Sequence, residues 1–565
     1  VSPGRAAALT GAGLVGLLWL AYRPSLDGGF VYDDGRFVAS NPALVPLGNP
    51  LRFFTDPTTA DPAGGHVGIW RPLRTLSFAA DRAWFGSDAP WLRRVSVLWH
   101  VGAALALFAL IGALTGSGLA AAAGAALFGV HPVGVEAVAW ISSRDSPMAL
   151  LFLVLSVVLF RRAGGWALAG AVAAGALAMA AREVAVVLPA LLVAHEALGL
   201  GRGRRRWARI APFAALAALY LAGRHAALGD AGGQARAGDR PVVAELATSS
   251  AGLLHSAGRL AWPWSFGFDH QLPPAGGFSD PRALGGLALL SGAIALAVVL
   301  RRRAPEVAFG IAWALLTWLP VSGVVPLNIA TADRFLYVPL AGVALAGGGL
   351  LARGAARAGR TGRLVIDCAS AGALALLAFT TMSHAAAFRT NETLWSAVLA
   401  RDPESFRAHH GLGAALHLRG SDEEAERHLR LAAALRPDHP RTFFDLGRLL
   451  AGRAPGEAAE ALERAVTLWE GRGETAMERD AARAALRLVA DLHARAGRAG
   501  ETLAALERLV RLEPPSAELY ADVGALRRRR GDLDGAARSY REALRVRPGF
   551  EPAERALREL EGRRP

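Results

Sequence analysis

The chain has 565 residues, 53% of them hydrophobic and 19% charged, with a mean hydropathy of +0.29. A soluble protein of this length exposes more charge, and the 64 Gly and 31 Pro form no tracts, so purely soluble, collagen-like and disordered classes fall away. The 62 basic residues exceed the 48 acidic ones, giving a formal charge of +14, but all 62 are Arg; with the abundance of Ala and Gly this reads as compositional bias, and no nucleic-acid partner is implied. The single cysteine, Cys368, lies in an apolar run, which leaves no intramolecular disulfide framework and no cysteine metal site.

In chain order, Arg5 precedes the apolar run 6–22. More long apolar runs follow and no clear small-residue cleavage site appears, so this is expected to be an uncleaved first span rather than a signal peptide. Further candidate spans are 95–113, 118–130, 147–159, 166–181, 184–200, 210–222, 284–300, 307–321, 335–351 and 364–382, about eleven in all. The stretch 241–264 is interrupted by Glu245, His255 and Arg259 and is expected to lie along or dip into the membrane rather than cross it. Threading the spans from a cytoplasmic N-terminus places Arg161 and Arg162, the cluster Arg202 to Arg209, Arg301 to Arg303 and Arg353 to Arg363 on the cytoplasmic side, as basic loops require. The C-terminus then lies outside.

After about Ser383 the composition changes to charged, Ala-rich amphipathic helices with a 34-residue period, the length of a tetratricopeptide unit. Pro403 and Pro437 keep that step, as do Pro514 and Pro548, and Gly413 and Gly447. Ala425, Ala458 and Ala536, followed by Ala432, Ala465 and Ala543, occupy positions where a bulky side chain would force paired helices apart; Thr502 and Leu509 break the pattern in the third unit. About four units are expected from Phe406 to Phe550, with a leading helix near 391–401 and an insertion near 473–482. Such arrays hold an extended peptide or a partner helix, which makes polypeptide capture the functional reading and a spacer or self-association module the plainer one. Arg527 to Arg530, His409 and His410 are read as solvated helix faces.

The same threading gathers isolated polar residues on the outer side: Tyr32, Asp33 and Asp34; His131, Glu136, Arg144 and Asp145; Arg182 and Glu183; Asp269 and His270; Asp333 and Arg334. Taken singly, each has a plainer role as a helix breaker or a snorkelled surface pair. Together, a one-sided ring of acids and arginines at a membrane boundary is suited to holding a polar substrate. The chemistry it fits is transfer of a sugar from a lipid phosphate to a hydroxyl. A carboxylate, Asp33 or Asp34, would take the acceptor proton. Guanidiniums, Arg334 and Arg144, would neutralise the leaving phosphate. His131, Glu136, Arg182 or Glu183 would orient the sugar.

Several ordered stretches then resemble one family. They are Phe30-Val31-Tyr32-Asp33-Asp34 with Asn41, Trp70-Arg71-Pro72-Leu73 with Phe78, His100, and His131-Pro132 with Glu136-Ala137-Val138. Ser143-Arg144-Asp145, Arg182-Glu183 and Ala332-Asp333-Arg334-Phe335-Leu336-Tyr337-Val338-Pro339 complete the set. On these the chain resembles the transmembrane and tetratricopeptide-repeat protein O-mannosyltransferases of the glycosyltransferase C superfamily. Arg182 stands where the family usually has Lys, Asp333 where it has Glu and Leu340 where Ser is common. The resemblance implies an all-α polytopic fold with Asp33 as base and Asp34 beside it. It also implies inverting transfer of a sugar, mannose in known members, from a polyprenyl phosphate to Ser or Thr of a secretory protein. Residues 1–383 are then expected to form the membrane domain, with the first outer loop at about 23–94, and 384–565 the repeat domain.

On this reading Arg334, Arg144 and Arg182 bind the donor phosphate, while His131, Glu136, Glu183, Asp333, Arg71, Asp269 and His270 contact sugar or acceptor. Beyond the lipid-linked donor no cofactor is assigned; carboxylates and His131 leave a divalent metal possible, with no tight ligand spacing to announce one. The compositional bias favours a bacterial inner membrane over endoplasmic reticulum. A non-catalytic membrane scaffold whose repeats recruit partners is the alternative. A transporter fits less well, since charged residues are sparse at the middles of the spans.

Overall fold

The computed structural model describes residues 3–61, 68–201, 206–229, 241–270, 272–324, 331–470 and 476–562, and their regular secondary structure is entirely helical. Arg202 to Arg205 of the expected basic cluster and the start of the expected insertion lie outside these residues. Two compact units emerge, one ending at Arg401 and the other beginning at Asp402. The boundary falls after the expected 383 because the helix Arg360–Ala387 runs through that position and the helix Asn391–Leu399 belongs with the first unit.

Each of the eleven apolar runs is helical. Among the described residues, seven helices are long and apolar enough to cross a membrane, or up to eight if the pair Gly118–Gly129 and Pro132–Ala139, bent by 52°, counts as one. The expected count is not reached by that measure. Gly165–Ala181 and Pro305–Val321 are shorter apolar helices, and Leu188–Ala197 has ten residues. Several of these helices stop where polar loops begin: Pro132 follows the break at His131, and Arg182–Glu183 ends one helix before the next can start. The interrupted stretch forms the helix Val242–Ala261, which is not among the candidates for crossing.

Two glycines fix the helix that carries the last family-like stretch. A Cβ on Gly310 would fall 2.6 Å from the Gly342 carbonyl oxygen, and one on Gly342 would fall 2.5 Å from that of Gly310. The helices Pro305–Trp318 and Tyr337–Arg357 therefore touch backbone to backbone, as small residues permit between apolar helices. Trp313 Nε1 donates to the Val338 carbonyl at 3.1 Å. His100 bridges the Tyr337 hydroxyl (2.7 Å) and the Gly129 carbonyl (3.0 Å) at the same end of that helix.

The second unit is built of helix pairs: Phe406–Arg419 with Asp422–Leu435, Pro440–Leu450 with Pro455–Glu470, Ala476–Arg495 with Ala499–Leu512, and Ala517–Arg529 with Leu533–Val546. Glu551–Glu561 follows. The 34-residue spacing thus marks real units. A Cβ on Gly413 would meet Leu429 Cγ at 2.8 Å, one on Gly447 would meet Leu462 Cγ at 2.6 Å, and one on Gly524 would meet the Tyr540 ring at 2.8 Å. His409 is buried, not solvated: Nδ1 contacts His428 Nδ1 at 2.9 Å and Nε2 the Pro403 carbonyl at 2.9 Å. His410 pairs with Asp445 at 3.0 Å, and Arg527 with Glu507 at 2.8 Å.

Candidate active site

The first loop after the helix Pro3–Tyr22 carries two adjacent carboxylates in different states. Asp34 is fully buried; its Oδ1 accepts from the Ser142 N–H (2.8 Å) and hydroxyl (2.6 Å), and its Oδ2 from the Val31 N–H (3.1 Å). Arg93 ties the same loop down, Nη1 donating to the Ala139 carbonyl at 2.5 Å and Nη2 to that of Gly29. Asp33 is partly buried, and its carboxylate makes no hydrogen bond or ion pair among the described residues. Burial pushes its carboxyl up to about 6, against the pull of Arg334 first and Arg36 second. Arg36 is itself held by Asp61 through two contacts of 2.8 and 2.5 Å.

Arg334 sits in the short turn Asp333–Phe335 just before the helix Tyr337–Arg357. Its main-chain N–H donates to Glu136 Oε2 at 2.8 Å and its Nη1 donates to Oε1. The guanidinium lies over Trp140 (5.3 Å) and Phe335 (5.1 Å). Nε and Nη2 form no hydrogen bond among the described residues.

Phe335 joins this group to a second one, for the Arg182 guanidinium lies 5.8 Å from the centroid of the same ring. Arg182 Nη1 donates to Asp145 Oδ1 at 3.3 Å and to the Ser146 hydroxyl. Arg71, the cap of the helix Pro72–Phe85, holds Glu183 with Nε (3.0 Å) and Nη2 (2.5 Å) and Asp145 with Nη1 (2.5 Å). Arg74 approaches the same Asp145 oxygen at 3.9 Å. Three guanidiniums thus face two carboxylates, leaving an excess of positive charge beside Arg334.

Other expected ligands turn out to be committed inside the protein. Arg144 is fully buried: Nε donates to Ser96 Oγ (3.1 Å), Nη2 to the Leu92 carbonyl (2.6 Å) and Nη1 to Asp81. All three of its nitrogens are thus used within the protein. His131 caps the turn Pro132–Gly134, Nδ1 accepting from the Val133 N–H at 3.3 Å, while Nε2 donates to the Leu260 carbonyl at 3.0 Å. Both ring nitrogens are thus used within the protein. Both oxygens of Glu136 go to Arg334, and Arg71 and Glu183 occupy one another. Asp333 accepts from Arg259 Nε (3.1 Å) and Nη2 (2.7 Å) and from His270 Nε2 (2.8 Å). Burial raises the Asp333 carboxyl, but His270 and Arg259 outweigh it and hold it well below the usual range. Asp269 has left-handed backbone, φ 54°.

Arg36, Asp61, Trp140, Ser142 and Arg259 shape the site and were not singled out for it in the sequence. Only Arg36, three residues from Asp33, carried a local signal. Beside Leu336, two positions after Arg334, an apolar cleft of about 290 Å³ opens between helices, lined among others by Leu253, Leu260, Ile311, Trp318 and Val343. Among the described residues, no three His, Cys, Asp or Glu gather in a way that would hold a metal ion.

Fold and site first define a class: a helical protein with several helices of membrane-crossing length, loops that gather around the Asp33 carboxylate, and a stack of helix pairs. No family model matches the chain. It is similar to Protein O-mannosyl-transferase Tmtc1 of Drosophila melanogaster, 34% identical over 154 residues, 27% of this chain and 18% of that protein. Tmtc2 of Drosophila melanogaster is 35% identical over 155 residues, 26% and 16% of the two chains, and human TMTC2 31% over 168 residues, 27% and 20%. The matched stretch spans a fifth or less of these relatives' own length. Among solved structures, that of the MamA protein aligns at 20% identity over 28% of this chain and 84% of that chain, with a TM-score of 0.23. YrrB, a TPR protein with an unusual peptide-binding site, aligns at 20% identity over 34% and 89%, with a TM-score of 0.23.

Proposed function

We propose that the chain is a multi-pass membrane glycosyltransferase that moves a sugar, mannose in the first instance, from a polyprenyl-phosphate donor to Ser or Thr hydroxyls of exported polypeptides, with inversion. The observation that carries this reading is the uncommitted Asp33 carboxylate lying under the charge of Arg334, whose own Nε and Nη2 are uncommitted. The hydroxyl oxygen of the acceptor attacks the anomeric carbon and gives its proton to Asp33. The bond from that carbon to the phosphate oxygen breaks as the new one forms, and the lipid phosphate departs with the electron pair. Arg334, with the excess positive charge around Arg182 behind it, meets the charge that develops on the leaving group. A carboxyl near 6 is ionised at neutral pH yet basic enough to accept a proton, which is what general-base work asks for.

The apolar cleft beside Leu336 suits the isoprenoid chain of the donor, and the paired helices from Phe406 to Val546 suit a polypeptide acceptor. The names of the relatives support the reaction class. The arrangement of basic loops supports an extracytoplasmic site. Incubating the purified protein with polyprenyl-phosphate mannose and a Ser/Thr peptide library should add a hexose mass to peptides; no increment with this donor would count against the reading. The four helix pairs also favour a second one, a membrane-anchored repeat scaffold without catalysis. That reading predicts full function when the repeats are re-anchored by one span in place of residues 1–383.

A further inference from the structure

Among the described residues, two that are not glycine have left-handed backbone: Tyr32, φ 49°, immediately before Asp33, and Asp269, φ 54°, immediately before His270. They lie in loops more than 200 residues apart in the chain. Such conformations persist only where the surroundings over-determine them, and here one short stretch, Arg389 to Arg401, holds both.

On the first loop, the Gly29 N–H donates to the Arg389 carbonyl at 2.9 Å, and the Tyr32 N–H donates to Asn391 Oδ1 at 2.7 Å. The loop lies so close that a Cβ on Gly28 would fall 2.7 Å from the Arg389 carbonyl oxygen. Trp395 meets the Tyr32 ring edge-on at 5.5 Å and the Phe268 ring at 5.5 Å, touching both loops at once. On the second loop, Arg401 Nη2 donates to the Phe268 and Asp269 carbonyls at 3.3 Å each, and Nη1 donates to His270 Nδ1 at 3.1 Å. Because a guanidinium only donates, His270 Nδ1 accepts and its proton sits on Nε2, which passes the contact on to Asp333 at 2.8 Å. Asp333 is the neighbour of Arg334. The stretch therefore reaches the residue before Asp33 on one side and the residue before Arg334 on the other.

We propose that Arg389 to Arg401 is a brace that sets Asp33 and Arg334 relative to each other, with Asn391 and Arg401 as positioning residues for the transfer. The chemical half rests on the glycosyltransferase reading; the mechanical half does not. The decisive experiment combines deuterium exchange and transfer kinetics on the full-length protein in detergent, with polyprenyl-phosphate mannose and a Ser/Thr peptide as substrates. Asn391→Ala should raise exchange at least threefold in residues 28–40, and Arg401→Met should do so in 266–270. Both should lower kcat tenfold or more with the peptide KM unchanged. Asn391→Asp, which keeps an oxygen to accept the Tyr32 N–H, should restore wild-type exchange and a kcat within twofold. If Arg401→Met does not fold, Arg401→Lys, which retains one donor, takes its place with a smaller change of the same sign. Unchanged exchange in either loop overturns the brace, and so does a loosened loop with full kcat. A wild-type protein that transfers no sugar overturns the reaction, while the exchange data still decide the brace.

Discussion

Asp33 and Asp34 are neighbours in the chain, yet the Asp34 carboxylate accepts three hydrogen bonds in full burial while the Asp33 carboxylate, under the charge of Arg334, accepts none among the described residues. Substitution should separate them. Asp33→Asn should abolish sugar transfer with normal yield of folded protein. Asp34→Asn turns an amide N–H₂ toward a donor N–H, costing about 1–3 kcal/mol of stability, and should appear as a lower thermal midpoint before any effect on turnover is read.

The pH dependence follows from the Asp33 carboxyl, raised from 3.8 to about 6 by burial. The base must be ionised, so kcat/KM should fall as pH drops through about 6. For stability the sign is the reverse. The folded state holds the proton more tightly than the unfolded one, an advantage complete below about 4 and lost as pH rises through about 6. At pH 8 the ionised carboxylate then costs the fold up to about 3 kcal/mol. Asp33→Asn should accordingly melt higher than the parent at pH 8 and with it at pH 4; equal midpoints at pH 8 would show that the carboxyl is not strained by burial.

Glu136 presents Arg334 by two contacts from one carboxylate. Glu136→Gln keeps the shape but removes the charge, and should lower kcat by about 10²-fold through loss of leaving-group stabilisation. Arg334→Lys should lose at least as much, since an ammonium cannot reach Glu136 and a phosphate with one fork. Steady-state kinetics with a fixed donor concentration would check both.

Arg144 has a partner within the protein at each of its three nitrogens. Arg144→Met leaves Asp81 buried without its cation and should cost about 3–5 kcal/mol, read as loss of folded protein in size-exclusion profiles. A well-folded Arg144→Met with only a raised donor KM would restore it to the phosphate site.

In the second unit Gly447→Val pushes a side chain against Leu462, 2.6 Å from where its Cβ would stand. It should lower the stability of the helix pairs by about 1–3 kcal/mol, measurable as an earlier unfolding step by circular dichroism.

The 34-residue spacing of Pro403 and Pro437 was enough to place the helix pairs, because each unit repeats its own contacts locally. The loop residues that meet were legible as a set, since acids and arginines are conspicuous against an apolar background. What each one does was not. Asp34 is settled by Ser142, 108 positions away, and Arg144 by Asp81, 63 away. His131 is likewise fixed by Leu260. A partner supplied by folding leaves no mark beside the residue it occupies. The breaks between apolar runs were legible too, as at Arg182–Glu183, where one helix ends and a 3-10 turn begins.

The contacts that shape the two loops are complete at Arg401, and the second unit starts at the next residue, its first helix at Phe406. Exchanging the array after Arg401 for one of another length would leave every one of those contacts in place.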